Sequence, residues 1–114
     1  MAGFVVKKLF QGFVSLHILH HASEGPVYGS WLMEELAEHG YKLSPGTLYP
    51  ILHHLEAVGL LEQYEATVSG KFRKYYETTD LGRVELAEAK RYLAELTNEI
   101  DGGRDQSTGE RAHG

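Results

Sequence analysis

Residues 44–61 read Ser44-Pro45-Gly46-Thr47-Leu48-Tyr49-Pro50-Ile51-Leu52-His53-His54-Leu55-Glu56-Ala57-Val58-Gly59-Leu60-Leu61, and this stretch decides the fold. Ser44 suits an N-cap, and Pro45 suits the first helical position, where a missing N–H costs nothing. Leu48, Ile51 or Leu52, Leu55 and Val58 recur at helical spacing and predict the buried stripe, and Gly59 supplies the stop. Pro50 removes one backbone bond, to the carbonyl of Gly46, but lies close enough to the start for the helix to continue with a bend. The outward face then carries Gly46, Thr47, Tyr49, Pro50, His53 and His54, with Glu56 as a carboxylate only near its end. A small-residue start and a face so poor in acids are what a helix needs to approach a polyanion.

Upstream, Phe4 to Ala22 has the pattern of a helix. Leu9, Phe13, Leu16 and His20 mark one stripe, and Val6, Phe10, Val14 and Ile18 widen it beyond what one core contact requires. One side of this helix is expected on its own core and the other on a second subunit. Glu24-Gly25-Pro26 signals a turn. A second helix is expected from about Val27 to His39, ending at Gly40, with Leu32 and Leu36 inward and Glu34, Glu35 and Glu38 in water.

Downstream, Leu60–Ala66 and Phe72–Thr78 are rich in Tyr and Thr and read as two strands joined by the hairpin turn Val68-Ser69-Gly70-Lys71. A last helix is expected from Thr79 or Asp80 to about Ile100. Leu86, Ala89, Leu93, Leu96 and Ile100 are spaced as an a/d seam. Residues 102–114, rich in glycine and without a large apolar residue, are expected to be a disordered tail. The order is three helices, a two-stranded hairpin and a helix. It predicts a mainly α fold with a two-stranded β wing: a winged helix-turn-helix over residues 4–79, followed by a C-terminal dimerisation helix over 80–101.

Bulk properties set the frame. The chain has 114 residues, enough for one domain. With no cysteine, it lacks a disulfide scaffold, a cysteine zinc finger and a thiol nucleophile. No apolar run approaches the ~20 residues of a membrane span, and Lys7 and Lys8 interrupt the N-terminal apolar stretch. A cytoplasmic protein is expected. The net charge of −5 argues against nucleic acid when taken alone. Its distribution does not: residues 42–83 are neutral overall and hold the one dense basic cluster, Lys71-Phe72-Arg73-Lys74. The chain carries no nucleophile elbow, phosphate-cradling loop or zincin motif, so no enzyme is expected. A capped helix with an acid-poor face can enter a major groove about 12 Å wide, and a basic hairpin beside it can reach flanking phosphates.

Residues 44–61 resemble the recognition-helix signature of the PadR family of transcriptional regulators. Pro26-Val27-Tyr28-Gly29 is similar to that family's start of the second helix. Gly70-Lys71-Phe72-Arg73-Lys74-Tyr75-Tyr76-Glu77-Thr78-Thr79-Asp80-Leu81-Gly82 resembles its wing and the entry to its last helix. The resemblance covers about residues 4–82. It implies a homodimer on palindromic double-stranded DNA, commonly a repressor released by a small molecule or stress signal. It places Ser44, Pro45, Gly46, Thr47, Tyr49, His53 and His54 on the recognition helix. Tyr28, Lys42, Lys71, Arg73 and Lys74 fall at the DNA backbone, and Phe10, Phe13, Leu86, Leu93, Leu96 and Ile100 at the dimer contact. The family often has Arg at the place of His54, a large residue at Ser30 and Leu at Thr78.

Two further groups invite a ligand. Trp31, with Phe10, Phe13 and Tyr92, has two readings, an effector pocket between subunits or plain core and interface packing, and packing is the favoured one. His17, His20 and His21 have i, i+3, i+4 spacing, and a pair at i, i+4 can hold a metal. With no carboxylate joining them in that helix and apolar surroundings, partly buried, hydrogen-bonded histidines are expected, with no metal and no cofactor. The rival reading of the whole chain is a winged-helix adaptor that binds protein, favoured only by the acidic net charge.

Overall fold

The computed structural model describes residues 3–102. Helix α1 spans Phe4–Glu24, strand β1 Val27–Tyr28, α2 Gly29–Glu38, α3 Pro45–Ala57, β2 Leu61–Val68, β3 Lys71–Thr78 and α4 Asp80–Thr97, with a π-helical turn at Asn98–Gly102. The architecture is the expected winged helix-turn-helix with one addition. Val27 and Tyr28 do not begin the second helix. They pair antiparallel with Tyr76 and Tyr75, which makes the sheet three-stranded in the order β1-β3-β2. Pro26 and the extended backbone of Tyr28 hold this pair out of the helix, and Tyr28 becomes the N-cap position of α2. Residue 102 of the expected tail ends the π-helical turn; residues 103–114 lie outside the described residues.

Helices α2 and α3 stop in the same way. Tyr41 N–H donates to Leu36 O at 2.9 Å and Leu60 N–H donates to Leu55 O at 2.9 Å, with Gly40 and Gly59 at φ +93° and +85° between them. This six-to-one closure needs a left-handed residue, which glycine supplies without a Cβ clash. Helix α3 continues through Pro50. Ser44 holds the N-cap position, but its side chain does not cap; its Oγ donates to Thr47 Oγ1 at 3.3 Å. Between β2 and β3 the two-residue turn Ser69-Gly70 has φ of +53° and +79°, the double-positive geometry that matches strand twist.

The core is built from Val14, Ile18, Leu19 and Ala22 of α1, Leu32 and Leu36 of α2, Leu48, Leu52 and Leu55 of α3, then Val27, Leu61, Tyr76 and Leu86. Val58, expected in the stripe, is 48% exposed because the chain has already left the helix there. Thr78, where the family often has Leu, is buried, and its hydroxyl donates to Leu19 O at 2.8 Å. Ser30 is exposed, so no large side chain is needed for packing there. The N-terminal half of α1 and most of α4 project from this core. The radius of gyration is 17.5 Å, against ~13 Å for a compact chain of 100 residues.

Helix α4 is anchored at its start. Thr79 Oγ1 donates to Gly59 O at 2.6 Å and accepts from Gly82 N–H at 3.0 Å, while Thr79 N–H donates to Leu60 O at 3.1 Å. Arg83 Nη1 donates to Ser23 O at 3.1 Å. Gly82 is buried so tightly that a Cβ there would overlap Leu60 O and Thr78 Cγ2. Gly82→Ala is therefore expected to lower stability by about 1–3 kcal/mol, the usual cost of overpacking. Denaturant midpoints of the two proteins measure it, and equal midpoints would mean that α4 can shift off Leu60 freely.

Candidate nucleic-acid interface

Helix α3 lies with Leu48, Leu52 and Leu55 inward and Ser44, Pro45, Gly46, Thr47, Pro50, His53 and His54 exposed. Tyr49 departs from the expected arrangement. It is half-buried at the edge of the exposed face and packs on the core, its phenol against Gly29 at the start of α2. Its ring centre stands 6.3 Å from that of His53. Thr47, Pro50 and His54 also line an open groove against Lys7, Phe10, Gln11 and Ser15 of α1. The exposed face is thus centred on Gly46, Pro50 and His53, with Thr47 and His54 on its α1 side.

The wing is the β2–β3 hairpin. Lys71 sits at its tip and Lys74 on its flank, both exposed. Arg73 is half-buried: its guanidinium lies 4.1 Å from the ring centre of Tyr28. Register explains the contact. Arg73 and Tyr75 are two apart on one face of β3, Tyr75 pairs with both Tyr28 and Tyr64, and the three tyrosine rings form a ladder with centroid separations of 5.7 and 5.8 Å. This ladder was not singled out in the sequence, although the period of two along β3 contains it. Lys42 is exposed in the α2–α3 loop. The α2–α3 loop and the wing thus combine three exposed cations and the half-buried Arg73 with an α3 face free of carboxylate from Ser44 to Leu55.

Buried Tyr76 lies beneath this surface. Burial, then the Glu56 carboxylate and the Tyr49 phenol, push its hydroxyl above the usual tyrosine range.

The other expected sites separate. Phe13, Tyr92, Leu93 and Leu96 line a groove between α1 and α4 with Val5, Leu9 and Leu16. Phe10, Leu96 and Ile100 are 39–50% exposed, whereas Leu86 is 7% exposed and belongs to the chain's own core. The available seam therefore begins a turn later than the spacing suggested. Trp31 does not share a pocket with Tyr92; it lines a separate one with His21, Glu24 and Tyr28. The histidines are not short of carboxylates. Helix α1 runs on to Glu24, 3.6 Å from His20 Nε2, and Glu35 of α2 faces His21 instead of water.

The profile of the Transcriptional regulator PadR-like family matches residues 18–88, more than half of the chain. The chain belongs to the PadR-like family. Among curated relatives it is 51% identical over 96 residues to Transcriptional regulator Rv3488 of Mycobacterium tuberculosis, covering 84% of this chain and 90% of that one. A PadR-like transcriptional regulator from Bacillus cereus superposes with a TM-score of 0.77 at 31% identity, over 83% of this chain and 94% of the other. A PadR-like transcription factor from Bacteroides fragilis gives 0.74 at 28% identity, over 88% and 98%. This PadR-like chain is a transcriptional regulator with the family's winged-helix fold. No helix among its described residues is long and apolar enough to cross a membrane.

The position of Tyr49 can be tested by a thermodynamic cycle. A Cβ at Gly29 would overlap the Tyr49 phenol, so Gly29→Ala is expected to destabilise by about 1–3 kcal/mol. In a Tyr49→Ala background the same substitution is expected to cost much less, because contacting residues are non-additive. Unfolding midpoints of the four proteins measure the coupling, and additive costs would place the phenol elsewhere.

Proposed function

We propose that the chain binds palindromic double-stranded DNA as a homodimer and represses transcription until an effector releases it. The carrying observation is the exposed, carboxylate-free start of α3 flanked by Lys42 and the basic wing. In this reading Thr47, Pro50 and His53 meet base edges in the major groove. Lys42, Lys71, Arg73 and Lys74 meet phosphates, which set affinity and register more than sequence choice. Tyr28 orients Arg73, and Tyr49 holds α2 on α3. Where the family often has Arg, this chain carries His54 on the exposed face of α3.

The homodimer reading rests on the two projecting helices. Phe4, Val5, Val6 and Leu9 of α1, Tyr92 and Leu96 of α4, and Ile100 in the π-helical turn after it are 47–76% exposed. This is more contiguous apolar surface than a small monomer normally shows. A two-fold partner laid on the α1–α4 groove covers it, and two-fold symmetry in turn favours a palindromic site. An effector site uniting Trp31 with Tyr92 needs the second copy, because one chain keeps them apart.

DNA binding is tested by anisotropy titrations at several salt concentrations, on the duplex upstream of the chain's own gene and on a scrambled duplex. Lys71→Ala is expected to weaken both complexes alike and to reduce the salt slope by about one. Thr47→Ala is expected to weaken the specific duplex more than the scrambled one. A salt-independent affinity without sequence preference would replace the reading with that of an adaptor.

The dimer is tested by sedimentation of Leu93→Glu. Leu93 is 36% exposed and lines the groove, so the new carboxylate would be buried against the partner and monomers are expected. A persistent dimer would show that α4 pairs only within its own chain.

A further inference from the structure

We propose that His17, His21, Glu35 and His39 form a binding site for a borderline divalent transition-metal ion of the zinc, nickel or cobalt class. Two i, i+4 pairs face each other: His17 and His21 on α1, Glu35 and His39 at the end of α2. The donor nitrogens of the three histidines lie within 4.8 Å of one another. Glu35 Oε2 is 3.6 Å from His21 Nε2 and 3.3 Å from His39 Nε2. The His17 ring is centred 4.8 Å from that of His39 and 6.0 Å from that of His21. Three imidazoles therefore converge from α1 and the end of α2, with the Glu35 carboxylate beside two of them.

His21 Nε2 is shielded from water and has no hydrogen-bond partner among the described residues. Such a group is costly unless something occupies it. Bonds of about 2.0–2.2 Å in a tetrahedral site set donors roughly 3.4 Å apart. The histidine nitrogens must close from at most 4.8 Å, and His39, with 47% of its side chain exposed, has room to turn. The surroundings support fixed rings: Trp31 stands edge-on to His21 at 5.5 Å and Tyr41 packs on His17 at 5.3 Å. Burial, aided by the neighbouring imidazoles, holds His17 below the usual histidine range. Burial does the same to His21 against the pull of Glu35. Their lone pairs are accordingly available at neutral pH.

The donor set selects the class of ion. Three imidazoles and one carboxylate suit zinc, nickel, cobalt or copper(II); calcium and magnesium require more oxygens. The absence of cysteine removes the thiolates that favour the softest ions. A second group, His20, His21 and Glu24, shares His21. It draws on α1 alone, and its carboxylate, Glu24, is far more exposed than Glu35, so the inter-helix set is the preferred one. An ion there staples the end of α2 to the C-terminal turns of α1.

The test uses the full chain with Zn²⁺ in calorimetry and Co²⁺ in visible absorption. The single tryptophan, Trp31, is a fluorescence reporter beside His21. One saturable ion per chain is expected, with tetrahedral cobalt bands and tryptophan quenching by cobalt. His39→Gln, at an exposed position where folding is easily checked by circular dichroism, is expected to weaken zinc at least 10-fold and abolish the cobalt bands. His20→Gln is expected to leave both unchanged. Absence of saturable binding by the unmodified chain overturns the proposal, as does a His39→Gln protein that binds as tightly. Loss in His20→Gln alone assigns the ion to the other group and overturns it too.

Discussion

The hydroxyl of Thr79 holds the two halves of the molecule together. It donates to the carbonyl of Gly59, where α3 has ended, and accepts from the N–H of Gly82, where α4 begins. One oxygen thus satisfies a helix N-terminus and fixes the angle at which a long helix leaves the core. The absence of a Cβ at Gly82 lets α4 lie against Leu60, and the Arg83 guanidinium adds a contact to the end of α1. Everything beyond Leu86 on α4 depends on this joint, because from there on almost every side chain faces outward.

Strongly local features were legible in the sequence. The helix from Pro45 to Ala57, its glycine stop and the hairpin at Ser69-Gly70 each depend on neighbours within a turn or two, and the structure has them where the residues imply. Misplaced features depend on distant partners. Val27 and Tyr28 are a strand only because Tyr75 and Tyr76, nearly fifty residues away, lie beside them. Leu86 fits the a/d spacing but is claimed by the core, since the joint at Thr79 presses the first turns of α4 inward. Tyr49 sits on the expected helix, but a glycine at position 29 opens a slot that draws its ring toward α2.

Candidate site residues follow the same division. Face assignments for Thr47, Pro50 and His53 came from helical periodicity and agree with their exposure. The grouping of His17 and His21 with Glu35 and His39 required knowing that α1 and α2 meet. A pair at i, i+4 on each of two helices is the only trace it leaves in the sequence. The premise that no carboxylate joins these histidines failed because α1 continues to Glu24 and because Glu35 turns inward.

Arg73 rests on an aromatic face instead of a carboxylate, and among the described residues no ion pair involves it. A ring quadrupole positions a guanidinium without cancelling its charge. An acidic partner would have fixed the side chain equally well while erasing its field. In a chain of net charge −5, this leaves a local positive potential that reaches about a Debye length into solvent, roughly 8 Å at physiological ionic strength. The tyrosine ladder therefore does two things at once: it stiffens the wing and keeps a guanidinium charge there without a carboxylate partner among the described residues.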